Sequence, residues 1–87
     1  MTYRISIEKP AAKFINSQPK NQRVRLIKAI QRLPLVGDIK SVEGHPGYYR
    51  LRVGNYRVVY TIVPETQEVS LVLVSDAGNR GDIYNRY

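Results

Sequence analysis

The sequence predicts an α+β domain: an N-terminal strand and a helical hairpin, then an antiparallel sheet, in the order β-α-α-β-β-β, with a short C-terminal helical turn. Three observations carry this prediction. Residues 48–63, YYRLRVGNYRVVYTIV, alternate in polarity on either side of Gly54-Asn55, as a β-hairpin does. Residues 11–33 carry apolar side chains at intervals of three and four, the helical period. Residues 68–75, EVSLVLVS, form a mostly apolar run bounded by turn chemistry, which suits an inner strand buried on both faces.

Taken in order, Tyr3, Ile5 and Ile7 alternate with Arg4 and Ser6 and form the first strand. Pro10 fits the first turn of a helix, where its missing N–H leaves nothing unpaired, and Ala11, Phe14 and Ile15 follow at i, i+3 and i+4. That helix ends near Asn16-Ser17. After Gln18-Pro19 a second helix covers residues 20–32, with Leu26, Ile27, Ile30 and Leu33 on one side and Arg25, Lys28 and Arg32 opposite, read as a solvated outer face. Arg23 projects among the apolar residues and is expected to snorkel from the helix end. The two helices make an antiparallel pair that covers the sheet from one side. Residues 34–47, PLVGDIKSVEGHPG, lose periodicity and read as a loop. After residue 75 the tail returns to turn chemistry at Gly78 and Gly81, and Asp82 can cap a last helical turn holding Ile83 and Tyr84.

The hairpin turn sets the register. Gly in the first turn position suits a type II′ geometry, so Val53 pairs with Tyr56, Arg52 with Arg57, Leu51 with Val58 and Arg50 with Val59. Tyr49, Leu51, Val53, Tyr56, Val58, Tyr60 and Ile62 then share the core face, and Tyr48, Arg50, Arg52, Arg57, Val59 and Thr61 the other. Like charges opposite one another destabilise a sheet by some tenths of a kcal/mol, and the hairpin holds no acidic residue to offset three guanidinium groups. Two readings stand: a face prepared for a polyanion, or a solvated face whose carboxylates come from distant segments.

At 87 residues the chain, 1–87, is expected to be one domain with a modest core. With 14 Lys+Arg against 7 Asp+Glu the net charge is +7, so nucleic acid is the leading partner. No cysteine and one histidine, His45, argue against disulfides, thiolate metal sites, a zinc centre and any other cofactor. No apolar run is long enough to span a bilayer and the N-terminus lacks a secretory h-region, so a cytoplasmic protein is expected.

The passage EGHPGYYRLRVGNYRVVY, the helical hairpin before it and the terminal GNRGDIY after a hydrophobic strand together resemble the RelE/ParE superfamily of type II toxins, over nearly the whole chain. The resemblance to its RelE-like branch implies an mRNA interferase, an endoribonuclease that enters the ribosome and cleaves mRNA by attack of a ribose 2′-OH on the adjacent phosphate. Carried over by motif, the site residues are Arg50 and Arg52 on the first hairpin strand, Arg57 on the second, and Arg80 and Tyr84 in the tail. Arginine suits such a phosphate because its planar fork donates paired hydrogen bonds. This chain has Arg where several relatives have Lys, and Asn79 where many have a basic G-H-R tail, so the general base stays open. His45 lies outside the motif and reads as a rim or structural residue. The resemblance also implies a cognate antitoxin as partner. The ParE-like branch offers the alternative: an inhibitor of DNA gyrase without nuclease activity.

Overall fold

In the computed structural model, which describes residues 2–87, the elements are β1 (Thr2–Ile7), α1 (Lys9–Asn16), α2 (Lys20–Gln31), β2 (Asp38–Ser41), β3 (Tyr48–Val53), β4 (Tyr56–Pro64), β5 (Val69–Asn79) and α3 (Arg80–Arg86). The five strands form one sheet in the order β1-β5-β4-β3-β2. The α+β class holds, with two adjustments. β1 pairs with β5 in parallel, so the sheet is antiparallel everywhere except at that edge. A short strand, β2, lies in the segment read as loop; its pattern, Asp38, Ile39, Lys40, Ser41, is too short for periodicity to reveal.

The hairpin register is as expected at every rung from Tyr48–Thr61 to Val53–Tyr56. Gly54 sits at φ +59° and no other residue of the turn has positive φ, which is the type II′ arrangement. α1 and α2 cover one face: Ala11, Ile15, Leu26, Ile30 and Leu33 pack with Leu51, Val53, Val58, Tyr60, Val72 and Val74 into one core. Arg23 sits at the start of α2, half-buried, and donates to the Gln18 carbonyl at 3.3 Å. Ile62, placed on the core face by alternation, lies beyond the helices and is exposed.

The opposite face departs from the expectation that helices pack on one side only. β5 continues four residues past the end of the apolar run, to Asn79, and α3 turns back onto β4 and β5. β5 is an inner strand, second from the β1 edge, and β4 holds the central place expected of β5. It is fully buried only on the core side, at Ser70, Val72 and Val74, while Leu71 and Leu73 are half-buried. A bulge decides what α3 meets. Tyr60 pairs with Val74 but Val59 pairs with Asp76, so Ser75 is an extra residue, and every side chain after it changes face. Asp76 and Gly78 thereby join Arg57 and Val59, and Ala77 goes to the core. α3 comes close at Gly78, where a Cβ would stand 2.9 Å from Arg86 Nη2 and 3.4 Å from Ile83.

Candidate functional site

Cross-strand pairing places Arg50 and Arg52 of β3, Arg57 of β4, and Asp38 and Lys40 of β2 on the face that α3 partly covers. Arg57 is 4% exposed. Its Nη1 donates to the carbonyls of Gly54 and Tyr56, each at 2.9 Å, and its buried Nε has no partner. No carboxylate pairs with it among the described residues. A guanidinium held out of water without a counter-ion is costly, and an incoming anion relieves that cost.

α3 brings the tail residues to this arginine. Its start is tied to the hairpin turn, the Arg80 N–H donating to the Asn55 carbonyl at 2.9 Å. Arg80 and Tyr84 are four residues apart and share a helix face, with the Arg80 guanidinium 5.7 Å from the Tyr84 ring centre. The polar influence of the Arg57 guanidinium draws the Tyr84 phenol below its usual pKa, and the charges of Arg57, Arg80 and Arg50 act in the same direction. Arg50, Arg57, Arg80 and Tyr84 therefore converge. Arg52 stands one strand outward, exposed, with Asp38 at 3.9 Å. The reading in which distant carboxylates neutralise the basic face is realised at Arg52 alone of the three hairpin arginines.

Three fastenings hold α3 on the sheet. Arg86 Nε lies 2.9 Å from one Asp76 carboxylate oxygen and Nη2 3.2 Å from the other, a two-point contact. Ile83 is buried. Tyr87 packs edge-on against His45 at 5.3 Å between ring centres, with Tyr48 at 6.3 Å. Burial raises the Tyr87 phenol above its usual pKa, and the Asp76 charge adds to the effect.

Sequence reasoning missed Lys40. It faces Arg50 across the β2–β3 rung, and both line a hollow of about 290 Å³ closed by Ile83, Tyr84 and Tyr87. The alternation of Ile39 inward and Lys40 outward is the one sequence signal for it. Asp76 and Arg86 were missed as well, because the bulge that turns Asp76 toward α3 leaves no trace in the pattern. Among the described residues no three His, Asp or Glu side chains are grouped to hold a metal ion, and no helix is long and apolar enough to cross a membrane.

Residues 5–80 match the family model described as the ParE toxin of type II toxin-antitoxin systems, parDE. No curated protein matches the sequence. The fold is similar to a solved RelB-RelE antitoxin-toxin complex from Methanococcus jannaschii, at 26% identity and TM-score 0.66 over 93% of this chain and 96% of that one. It is also similar to an archaeal RelE-RelB complex from Pyrococcus horikoshii, at 30% identity and TM-score 0.62 over 93% and 98%. The RelBE2 toxin-antitoxin complex from Mycobacterium tuberculosis, at 19% identity and TM-score 0.64 over 92% and 100%, shares the fold.

Proposed function

Because the chain belongs to the ParE toxin family, within the RelE/ParE superfamily of type II toxin-antitoxin toxins, we propose that the face formed by Arg50, Arg57, Arg80 and Tyr84 cleaves mRNA on the ribosome. The observation that carries this reading is Arg57: almost wholly buried, with no carboxylate among the described residues, beside a phenol whose pKa it and Arg80 and Arg50 lower. A scissile phosphate supplies the missing counter-charge. Arg57 and Arg80 bind its non-bridging oxygens and stabilise the charge that builds on them in the phosphorane. Arg50, with Arg52 farther out, positions the neighbouring backbone.

Tyr84 is the group best placed to accept the proton. The 2′-oxygen attacks phosphorus and forms the new P–O bond, its proton passes to the ionised Tyr84 phenol, and the bond to the 5′-oxygen breaks. The products are a 2′,3′-cyclic phosphate and, after protonation by water, a 5′-OH. Much of the rate rests on alignment of the 2′-OH, which the ribosome-bound message supplies.

The partners that follow are the ribosome, mRNA and a cognate antitoxin. The antitoxin is supported by the RelB-RelE neighbours, which are toxin-antitoxin complexes. An acidic antitoxin segment laid over Arg50, Arg57 and Arg80, or one that displaces α3, silences the site. A second reading, inhibition of DNA gyrase, is favoured by the family model itself, which is the ParE branch. The test adds purified protein to translating ribosomes carrying a defined message. Cuts ending in 2′,3′-cyclic phosphate, lost in Arg57→Ala and Arg80→Ala, support the nuclease. Intact message together with gyrase-dependent DNA breaks supports the second reading and removes the first.

A further inference from the structure

Arg25 and Lys28 of α2 and Arg32 at its C-terminal cap are exposed, as a solvated outer face requires, but they also share one groove. Arg25, Lys28 and Arg32 stand along a groove of about 340 Å³ between α2 and the end of β3, and Arg52 closes it from the sheet side. No carboxylate lines this groove. Its floor, Leu51 and Val53, is almost fully buried and gives a protein side chain little to hold. β2 begins opposite Arg52, and Val36 and Gly37, which precede it in the chain, line the groove beside β3. The Arg25 guanidinium is tight against the hairpin turn, 2.9 Å from where a Cβ on Gly54 would lie.

Arg52 belongs to both sites. It is paired directly with Arg57, one strand spacing of about 4.8 Å away, and it also forms one wall of the groove. Positive charge therefore continues from the candidate site through Arg52, whose one carboxylate, Asp38, stands 3.9 Å away, to the cations beside α2. We propose that this groove binds the phosphate backbone of the RNA flanking the scissile phosphate, a second anion site that lengthens the grip on a single strand by a few nucleotides. No aromatic side chain lines it, so it offers no stacking platform and reads charge without sequence. The proposal rests on the nuclease reading of the neighbouring face and extends it.

The test is binding, apart from cleavage. Affinity for a twelve-nucleotide single-stranded RNA is measured by fluorescence anisotropy over a salt series for the purified chain and for the triple variant Arg25→Gln, Lys28→Gln, Arg32→Gln. Each lost phosphate contact on a single strand lowers the slope of log K against log salt by roughly 0.7, so the triple variant is expected to lose about 2 from that slope and to bind at least tenfold more weakly. Arg25→Lys with Arg32→Lys restores most of the affinity, and a trinucleotide binds the triple variant as well as the unaltered chain. An unchanged slope and affinity in the triple variant, while Arg57→Gln and Arg80→Gln weaken binding, overturns the groove and leaves the nuclease reading standing. RNA that binds none of these proteins overturns the groove, and the nuclease reading is then decided by the cleavage test on translating ribosomes. A triple variant that loses affinity for polyglutamate but not for RNA assigns the groove to an acidic protein and overturns the proposal.

Discussion

Arg57 stands close enough to Tyr84 to draw its phenol below the usual pKa, linking the second hairpin strand to a helical residue 27 positions later in the chain. The arrangement pairs a buried guanidinium that has no carboxylate among the described residues with an exposed hydroxyl whose ionised form it favours. A cation and a latent anion are thus held ready for each other, and a phosphate arriving between them meets both.

Tyr84→Phe keeps the ring and removes the proton acceptor. Cleavage on the ribosome is expected to fall by about 10² to 10⁴-fold. In the unaltered chain the rate rises with pH toward a midpoint below the ordinary tyrosine value of 10.0, because Arg57 first, and then the charges of Arg80 and Arg50, favour the phenolate. The variant loses that rising limb. A single-turnover pH profile separates this from stacking, since a tyrosine that only stacks leaves the profile unchanged on conversion to Phe.

Arg57→Met exchanges an uncompensated buried charge for an apolar side chain of similar length. The melting temperature is expected to hold or rise, whereas cleavage disappears. A fall of roughly 4–8 °C, about 1 kcal/mol for a domain of this size, would show instead that the two bonds to the Gly54 and Tyr56 carbonyls outweigh the burial of charge.

Asp76→Asn weakens the two-point contact with Arg86 and loosens α3. The expected loss is about 1–2 kcal/mol of α3 docking, read as faster amide exchange over Arg80–Arg86, while the sheet core stays protected. Cleavage falls with it, since Arg80 and Tyr84 depend on α3 for their position. Unchanged exchange across α3 would assign its docking to Ile83 and Tyr87.

Asp38→Asn takes the one carboxylate away from Arg52. The pair is exposed and long, 3.9 Å, so its loss costs well under about 1 kcal/mol of stability. RNA binding is expected to tighten and its salt dependence to steepen, in an anisotropy titration against the unaltered chain. Weaker binding would mean that Asp38 orients Arg52 rather than competing for it.

Tyr60 supplies a pH test of the core. It is 1% exposed and stacked on Tyr49 at 5.6 Å, and burial, with the Tyr49 charge second, pushes its phenol up to about 12. Unfolded, the group titrates near 10, so above that pH the unfolded chain releases a proton that the folded chain retains. The contribution is fully present below pH 10 and is lost as pH rises through 12, on the order of 2 kcal/mol in all. Tyr60→Phe is expected to flatten the fall of chemical-denaturation stability between pH 10 and 12.

The hairpin was legible because its information is local. A Gly in the first turn position sets the turn type, the turn sets the register, and a period of two sorts Arg50, Arg52 and Arg57 to one side. The helices were legible for the same reason, through Ala11, Ile15, Leu26 and Ile30 at helical spacing. β2 escaped because four residues carry too little period to be told from loop, and Lys40 went with it.

From the sequence alone came the α+β class, the hairpin register, the excess of positive charge and the identity of the five residues proposed to act, Arg50, Arg52, Arg57, Arg80 and Tyr84. The tertiary structure decided which of them meet. A one-residue bulge at Ser75 turns Asp76 toward Arg86 and Gly78 toward Ile83, α3 settles there, and Tyr84 comes to Arg57 while Arg52 is left beside Asp38 and the α2 groove. The physical reason is range: turns and periodicity act between near neighbours along the chain, whereas the docking of α3 depends on contacts between strands and helices that only the folded chain brings together.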